Sequence, residues 1–124
     1  MATLAAAQFS ATYKNLTIYT YGEPRIGNPA FAAFIDDAFN AISANTTRFF
    51  RVTHMNDGIV PIPPVSDGYQ HHGIEFWSKE PACADNMYVC GGETTLCCAG
   101  RGGSGINDAH VTYFGIASGN CVDK

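Results

Sequence analysis

Apolar residues recur at steps of three and four between residues 28 and 42, and this pattern constrains the fold more than any other feature of the chain. Asn28 followed by Pro29 is typical of a helix start, because asparagine caps free N–H groups and proline fits the first helical position. The spacing predicts a helix of about four turns with one apolar face. That face consists of Phe31, Phe34, Ile35, Ala38, Phe39 and Ile42.

Strands are predicted on both sides of this helix. Residues 16–21 and 48–54 are rich in β-branched and aromatic side chains, and residues 73–77 alternate in polarity. A strand, a helix and a second strand in that order favour parallel pairing with a right-handed crossover. The chain of 124 residues is therefore predicted to form one α/β domain with a mostly parallel sheet flanked by helices.

The remaining segments are predicted from composition. Residues 1–13 are apolar nearly all round, which is typical of a helix buried on several sides. Residues 79–106 are rich in cysteine and glycine and are predicted to form a loop, with a short extended piece at 87–90. Asn107 or Asp108 is expected to cap a final short helix that continues through Phe114.

Charged residues make up only 15% of the chain, below the usual quarter or so, which suggests that much of its surface is buried against something. The seven lysines and arginines are scattered, so the basic stripe needed for nucleic-acid binding is absent from the sequence. No apolar run approaches the roughly 18 residues of a membrane-spanning helix.

Five cysteines indicate an oxidising compartment, and the odd number leaves one thiol without a partner in this chain. The sequons at Asn15 and Asn45 are glycosylation candidates. Residues 1–7 lack a basic region and make a poor signal peptide, so we expect a secreted, extracellular parent protein whose N-terminal part is missing here. The cysteines are Cys83, Cys90, Cys97, Cys98 and Cys121.

Two residues are candidates for chemistry. Asp57 follows the strand predicted at residues 48–54, at the edge where parallel sheets bind ligands, although it could also simply cap a turn with Gly58. His110, near a predicted helix start, could be structural or a general base. The order Asp then His matches the later part of the Ser, Asp, His order of α/β-hydrolases. Asp108 is a rival acid, but positions i and i+2 of a helix do not face each other.

A nucleophile and a metal site are both missing from the pattern. No serine lies in Gly-x-Ser-x-Gly; Ser104 comes nearest, but Ile106 stands where the last glycine should be. The cysteines form no papain-type motif. Cysteine and histidine pairs with zinc-site spacing are also absent from the sequence, so neither a metal nor another cofactor is expected.

Four segments together resemble the fungal class 3 lipases, in order and over essentially the whole chain. They read YTYGEPRIGNPAF at residues 19–31, FRVTHMND at 50–57, GYQHHGIEFW at 68–77 and NDAHVTYFG at 107–115. The pattern is most similar to the type A feruloyl esterases of filamentous fungi, which share the vicinal cysteines and the glycine-rich run before the histidine. The resemblance implies the C-terminal portion of an α/β-hydrolase.

The resemblance also implies roles for particular residues. His110 would be the general base and Asp57 its orienting carboxylate. In that mechanism a serine attacks an ester carbonyl and forms an acyl-enzyme, from which water then releases the acid. A Cys90–Cys97 disulfide is implied, and Cys121 resembles a cysteine bonded to the family's N-terminal region. Three residues match positions that line the acyl or aromatic pocket, namely Ile59, Ile62 and Ile106.

The family's nucleophile motif, GHSLGG, would lie just before Met1 by this register. The N-terminal half of the domain, with the serine and oxyanion hole, is therefore expected to be missing, and this fragment is expected to be inactive alone. The ester substrate could be a lipid or a feruloylated polysaccharide, because VPI at residues 60–62 is closer to the lipase pattern. A non-catalytic secreted binding or interaction domain, or a small disulfide-stapled secreted protein, remain alternatives.

Overall fold

A four-stranded sheet is the centre of the computed structural model, which describes residues 1–118. The strands β1 (Ile18–Tyr21), β2 (Phe49–His54) and β3 (Glu75–Ser78) run parallel in that order. Strand β4 (Met87–Cys90) closes the row antiparallel to β3. The predicted parallel sheet and the extended piece at residues 87–90 are confirmed.

Helix α2 (Pro29–Phe39) makes the crossover between β1 and β2. Its start is as predicted, because the Asn28 side chain accepts a hydrogen bond of 3.0 Å from the Phe31 N–H. The helix ends earlier than the apolar stripe suggested, since Asn40 adopts a left-handed conformation with φ of 51°. Ile42 consequently lies outside the helix and is 74% exposed, so its predicted place in the apolar face is wrong.

The core lies between the sheet and its two longer helices. Ile35 and Phe39 of α2 are fully buried against Phe49, whose ring meets that of Phe39 edge to face at 5.6 Å. Helix α1 (Ala2–Ser10) adds Ala6 to this cluster. The helix is shorter than predicted and is buried on one side only, because it packs on β1 and α2 and leaves Leu4, among others, exposed to solvent.

The opposite face of the sheet carries a row of apolar side chains. Tyr19 stacks on Phe50 at 4.8 Å between ring centroids, and Phe50 meets Phe76 at 5.3 Å. Tyr19, Tyr21 and Val89 are each more than half exposed. Parallel sheets are normally covered on both faces, so this aromatic row is an uncovered surface of the part described.

The last described segment differs from the prediction. Helix α3 (Asp108–Val111) has a single turn, and Asn107 caps it by accepting from the His110 N–H. The helix does not continue through Phe114, because Thr112–Tyr113 and Ile116–Ala117 form the hairpin strands β5 and β6. Residues Phe114 and Gly115, with φ of 53° and 74°, turn the chain between them. No helix in residues 1–118 is long and apolar enough to cross a membrane.

A disulfide joins Cys90, at the end of β4, to Cys97, the pair that the resemblance implies. Cys98 is buried and Cys83 exposed, and neither is bonded to another cysteine within residues 1–118. Cys121 lies outside the described residues. The disulfide therefore ties residue 97, in the loop that follows β4, to the end of that strand.

Replacing both Cys90 and Cys97 with alanine is expected to lower the free energy of unfolding by about 2–3 kcal/mol, because so short a loop constrains the unfolded chain by that amount. Urea denaturation followed by tryptophan fluorescence measures the change. Cys83→Ala, at an exposed thiol, is the matched control and should leave the midpoint unchanged. Equal midpoints for the double variant and the wild type would contradict the expectation.

Candidate active site

Asp57 lies on the loop that leaves the carboxyl end of β2, where ligands bind in open α/β sheets. A tight turn brings it back over the strand, since its N–H donates to the His54 carbonyl at 2.9 Å. The side chain is 1% exposed, and Oδ1 accepts from the Ile59 N–H at 2.9 Å. The carboxylate is therefore held in one orientation at the carboxyl end of the parallel strands.

His110 faces this carboxylate from helix α3. Its Nδ1 lies 3.0 Å from Oδ1 and 3.1 Å from Oδ2 of Asp57. Because a carboxylate can only accept, Nδ1 carries the proton and Nε2 remains as a proton acceptor. The imidazole side chain is 27% exposed whereas Asp57 is closed to solvent, so the pair has a buried end and an open end.

Tyr113 makes the third contact to the carboxylate, which sequence reasoning missed. Its hydroxyl donates to Oδ2 of Asp57 at 2.7 Å. Burial raises the pKa of this hydroxyl, and the hydrogen bond to Asp57 raises it further, so Tyr113 stays a donor. The residue was predicted to lie in the final helix, and it lies instead in strand β5.

Gly22 forms part of the wall of the site, just after β1. A Cβ at this position would lie 2.7 Å from Oδ2 of Asp57 and 2.9 Å from Nδ1 of His110. Its φ of 62° also favours glycine. The Gly-Glu-Pro sequence predicted only that the strand ends there, and the close approach to the Asp57–His110 pair depends on tertiary structure.

The glycine-rich run, residues 102–105, packs directly on residues 56–58 of the loop that carries Asp57. Gly58 and Gly105 form an isolated antiparallel bridge, and a Cβ on Gly103 would overlap the Asn56 carbonyl. The Asn107 amide donates to the same Asn56 oxygen at 2.8 Å. The low side-chain bulk of this run therefore allows two backbones to pack together and places α3 over Asp57.

Two further side chains fix the loop after Asp57. The Arg25 guanidinium donates to the carbonyls of Pro61 and Pro63. His71 Nε2–H donates to the Val60 carbonyl at 2.9 Å. Burial, together with the charges of Arg51 and Arg25, lowers the pKa of His71 to about 2, so its imidazole is neutral at physiological pH.

The candidate nucleophiles within residues 1–118 do not meet His110. Ser104 is exposed on the glycine-rich run, and no serine hydroxyl of the described residues is hydrogen-bonded to the imidazole. The buried Cys98 thiol points at the Asp57 carbonyl, 3.6 Å away. Burial raises the pKa of that thiol to about 12, with the Glu75 and Asp57 charges adding to the shift, so it stays protonated and inert.

A cavity of about 480 Å³ opens beside His110. Its walls are mostly apolar and are formed by Tyr21, Val111, Tyr113, Phe114, Ile116 and Ser118. The three isoleucines predicted to line a pocket are not among them. Ile59 is half-buried, while Ile62 and Ile106 are 46% and 76% exposed.

One group of possible metal ligands comes close together within residues 1–118, namely Glu75, Cys90 and Cys97. Both of its sulfur atoms belong to the disulfide, so the group has no free thiolate to offer.

A mostly parallel sheet flanked by helices, with an Asp–His contact at the carboxyl end of its strands, is the arrangement of the α/β-hydrolase class, and the solved fungal lipases share this fold. Within that class, the sequence model of the family described as Lipase (class 3) matches residues 1–67, and the chain belongs to this family.

Similarity to individual proteins continues past residue 67, where the family model ends. The chain is 34% identical over 120 residues to the secreted mono- and diacylglycerol lipase 1 of Fusarium solani, covering 92% of this chain and 34% of that protein. Lipase II from Rhizopus niveus superposes with a TM-score of 0.77 at 31% identity, over 98% of this chain and 45% of that one. A triacylglycerol lipase whose catalytic centre is described as a serine protease triad gives 0.73 at 29% identity, over 97% and 45%. The chain thus spans about a third of the length of the Fusarium relative.

Proposed function

We propose that this chain contributes the base and the orienting carboxylate of a carboxylic ester hydrolase of the class 3 lipase family. The observation that supports the proposal is the contact of 3.0 Å between His110 Nδ1 and the fully buried Asp57 carboxylate. Three donors hold that carboxylate, from Ile59, His110 and Tyr113.

In the proposed reaction, Nε2 of His110 removes the proton of a serine hydroxyl as its oxygen attacks the ester carbonyl. The imidazolium that forms is stabilised by Asp57 through Nδ1–H, and it then protonates the departing alcohol. Water then attacks the acyl carbon and loses a proton to Nε2, the acyl–serine bond breaks, and Nε2 returns the proton to the serine oxygen as the acid leaves. No cofactor is needed for these steps.

We further propose that the serine and the oxyanion donors come from the part of the lipase domain that the relatives have and this chain does not span. The chain covers 34% of the Fusarium protein and 26% of the Rhizopus niveus lipase, which leaves ample sequence for both. Residues 1–124 are then the C-terminal portion of one hydrolase domain.

For the substrate, we propose an acyl ester of a lipid. The mostly apolar cavity beside His110 suits a hydrocarbon chain, and one relative is named a mono- and diacylglycerol lipase. A feruloylated polysaccharide is the alternative, on the feruloyl esterase pattern of the sequence. On the resemblance alone, Ile59, Ile62 and Ile106 are proposed to contact the acyl or aromatic group.

An extracellular location of the whole protein is proposed on three observations. The relatives from Fusarium and Penicillium are named as secreted. The chain has the Cys90–Cys97 disulfide. Asn15 and Asn45 are exposed in turns, where a glycan could be attached.

A chimera tests the function. In it, this chain replaces the matching segment of the Rhizopus niveus lipase, and hydrolysis of p-nitrophenyl butyrate and p-nitrophenyl palmitate is measured. We expect turnover by the chimera and none by residues 1–124 alone, because only the chimera holds a nucleophile beside His110. Methyl ferulate distinguishes the alternative substrate.

Ser104→Ala is the matched control, because Ser104 is exposed on the neighbouring loop and should not affect the rate. A folded chimera without any esterase activity would contradict the proposal and favour a non-catalytic binding domain. Turnover by the chain alone, lost in Ser104→Ala, would contradict it as well.

A further inference from the structure

His54, the last residue of β2, connects the two segments that carry the Asp57–His110 pair. The side chain is nearly closed to solvent, and its Nδ1 lies 3.1 Å from the carbonyl oxygen of Ala109, the residue before His110. Nε2 lies 2.9 Å from Oε1 of Glu80 on the other side of the ring. The ring also packs at 5.4 Å from that of Tyr113.

The direction of the first contact follows from its partner. A backbone carbonyl can only accept, so Nδ1 of His54 carries a proton and donates it to Ala109. This bond crosses from the end of β2 to helix α3. Its acceptor is a backbone carbonyl, so the bond does not depend on the side chain at position 109.

Helix α3 has only four residues and cannot hold its own position by helical hydrogen bonds. Asn107 anchors its start through the 2.8 Å bond to the Asn56 carbonyl. His54 holds the carbonyl of Ala109, two residues further along the turn. Both anchors lead to the same short loop, residues 54–57, which also presents the Asp57 carboxylate.

We propose that His54 is a positioning residue for the candidate dyad, acting through its Nδ1–H bond to the Ala109 carbonyl. Its role is to keep the imidazole of His110 in line with Asp57. The Glu80 contact holds the far side of the ring and is secondary, since the Glu80 side chain is 49% exposed. The proposal rests on the proposed function, in which His110 is the general base.

Asparagine and glutamine distinguish the two contacts. An asparagine amide places its nitrogen close to the position of Nδ1, whereas a glutamine amide places it close to that of Nε2. His54→Asn should therefore keep the bond to Ala109 and lose the bond to Glu80. His54→Gln should do the reverse, with a similar loss of ring packing in both variants.

The readout is the low-field proton NMR resonance of His110 Nδ1–H in residues 1–124, assigned by its loss in His110→Ala. We expect His54→Asn to keep this resonance, and His54→Gln to speed its exchange with water by about tenfold or broaden it away. Glu80→Ala should behave like the wild type. Thermal unfolding of each variant shows whether the variants fold equally well.

Equal behaviour of the two His54 variants, whether both keep the resonance or both lose it, would overturn the proposal. Failure of both to fold would do so too, because it would show a general packing role. The measurement needs no nucleophile, so it is separate from the chimera assay. If the chimera were inactive while His54→Gln weakened the His110 resonance as expected, the hydrolase function alone would be rejected.

Discussion

Replacing His110 with alanine in the chimera is expected to lower kcat for p-nitrophenyl ester hydrolysis by about 10⁶-fold, and Asp57→Asn by about 10⁴-fold. Alanine leaves the serine proton without an acceptor. Asparagine keeps the shape of Asp57 but brings an N–H₂ group toward Nδ1, and this favours the wrong tautomer of the imidazole. Asp57 is thus expected to act by keeping the proton of His110 on Nδ1, which lies within 3.1 Å of both carboxylate oxygens.

Asp108→Asn is the control for Asp57→Asn. Asp108 is two residues from His110 in sequence but is exposed, and the Nδ1 of His110 is bonded to Asp57 instead. Its replacement should change kcat by less than about threefold, since surface substitutions rarely act strongly. Steady-state rates at saturating substrate measure both variants. Loss of activity in Asp108→Asn with near-normal rates in Asp57→Asn would assign the acid to the other residue.

Phe39→Ala is expected to lower the free energy of unfolding by about 3–5 kcal/mol, the largest stability effect anticipated in this chain. Phe39 is 1% exposed in the core, where its ring meets Phe49 edge to face. Removing the ring opens a cavity between α2 and the sheet that neighbouring side chains fill only in part. Urea denaturation, followed by circular dichroism, measures the loss.

Phe34→Ala lies on the same helix and makes a matched control. The same ring is removed from a position that is 48% exposed, so the expected loss is below about 1 kcal/mol. A similar destabilisation by both substitutions would contradict the expectation, because alanine is the better helix former at either position and only the burial of the ring differs between them.

Local pattern was sufficient to predict most of the sheet and one helix. The β-branched and aromatic runs predicted β1 and β2, and the strand–helix–strand order predicted their parallel pairing. The same logic placed Asp57 at a sheet edge, and the order of Asp57 and His110 suggested their contact. These features depend on residues that are near in sequence or on rules of chain connection.

The features that sequence analysis missed depend on contacts between distant segments. Helix α1 looked buried all round, but only one side of it meets β1 and α2 in this part of the chain. Tyr113 was predicted in a helix, whereas it lies in strand β5, from which its hydroxyl reaches the Asp57 carboxylate 56 residues away in sequence. His54 had no neighbour in sequence to indicate the Ala109 carbonyl, 55 residues away.

Gly22 gives the site an unusual dependence on the backbone itself. With only a hydrogen atom at this position, the main chain itself packs against the imidazole and the carboxylate. Variants meant to change the cavity should accordingly alter residues such as Val111 and Ile116, and leave the residue after the first strand untouched. Even one added methyl group there would press on both members of the pair at once.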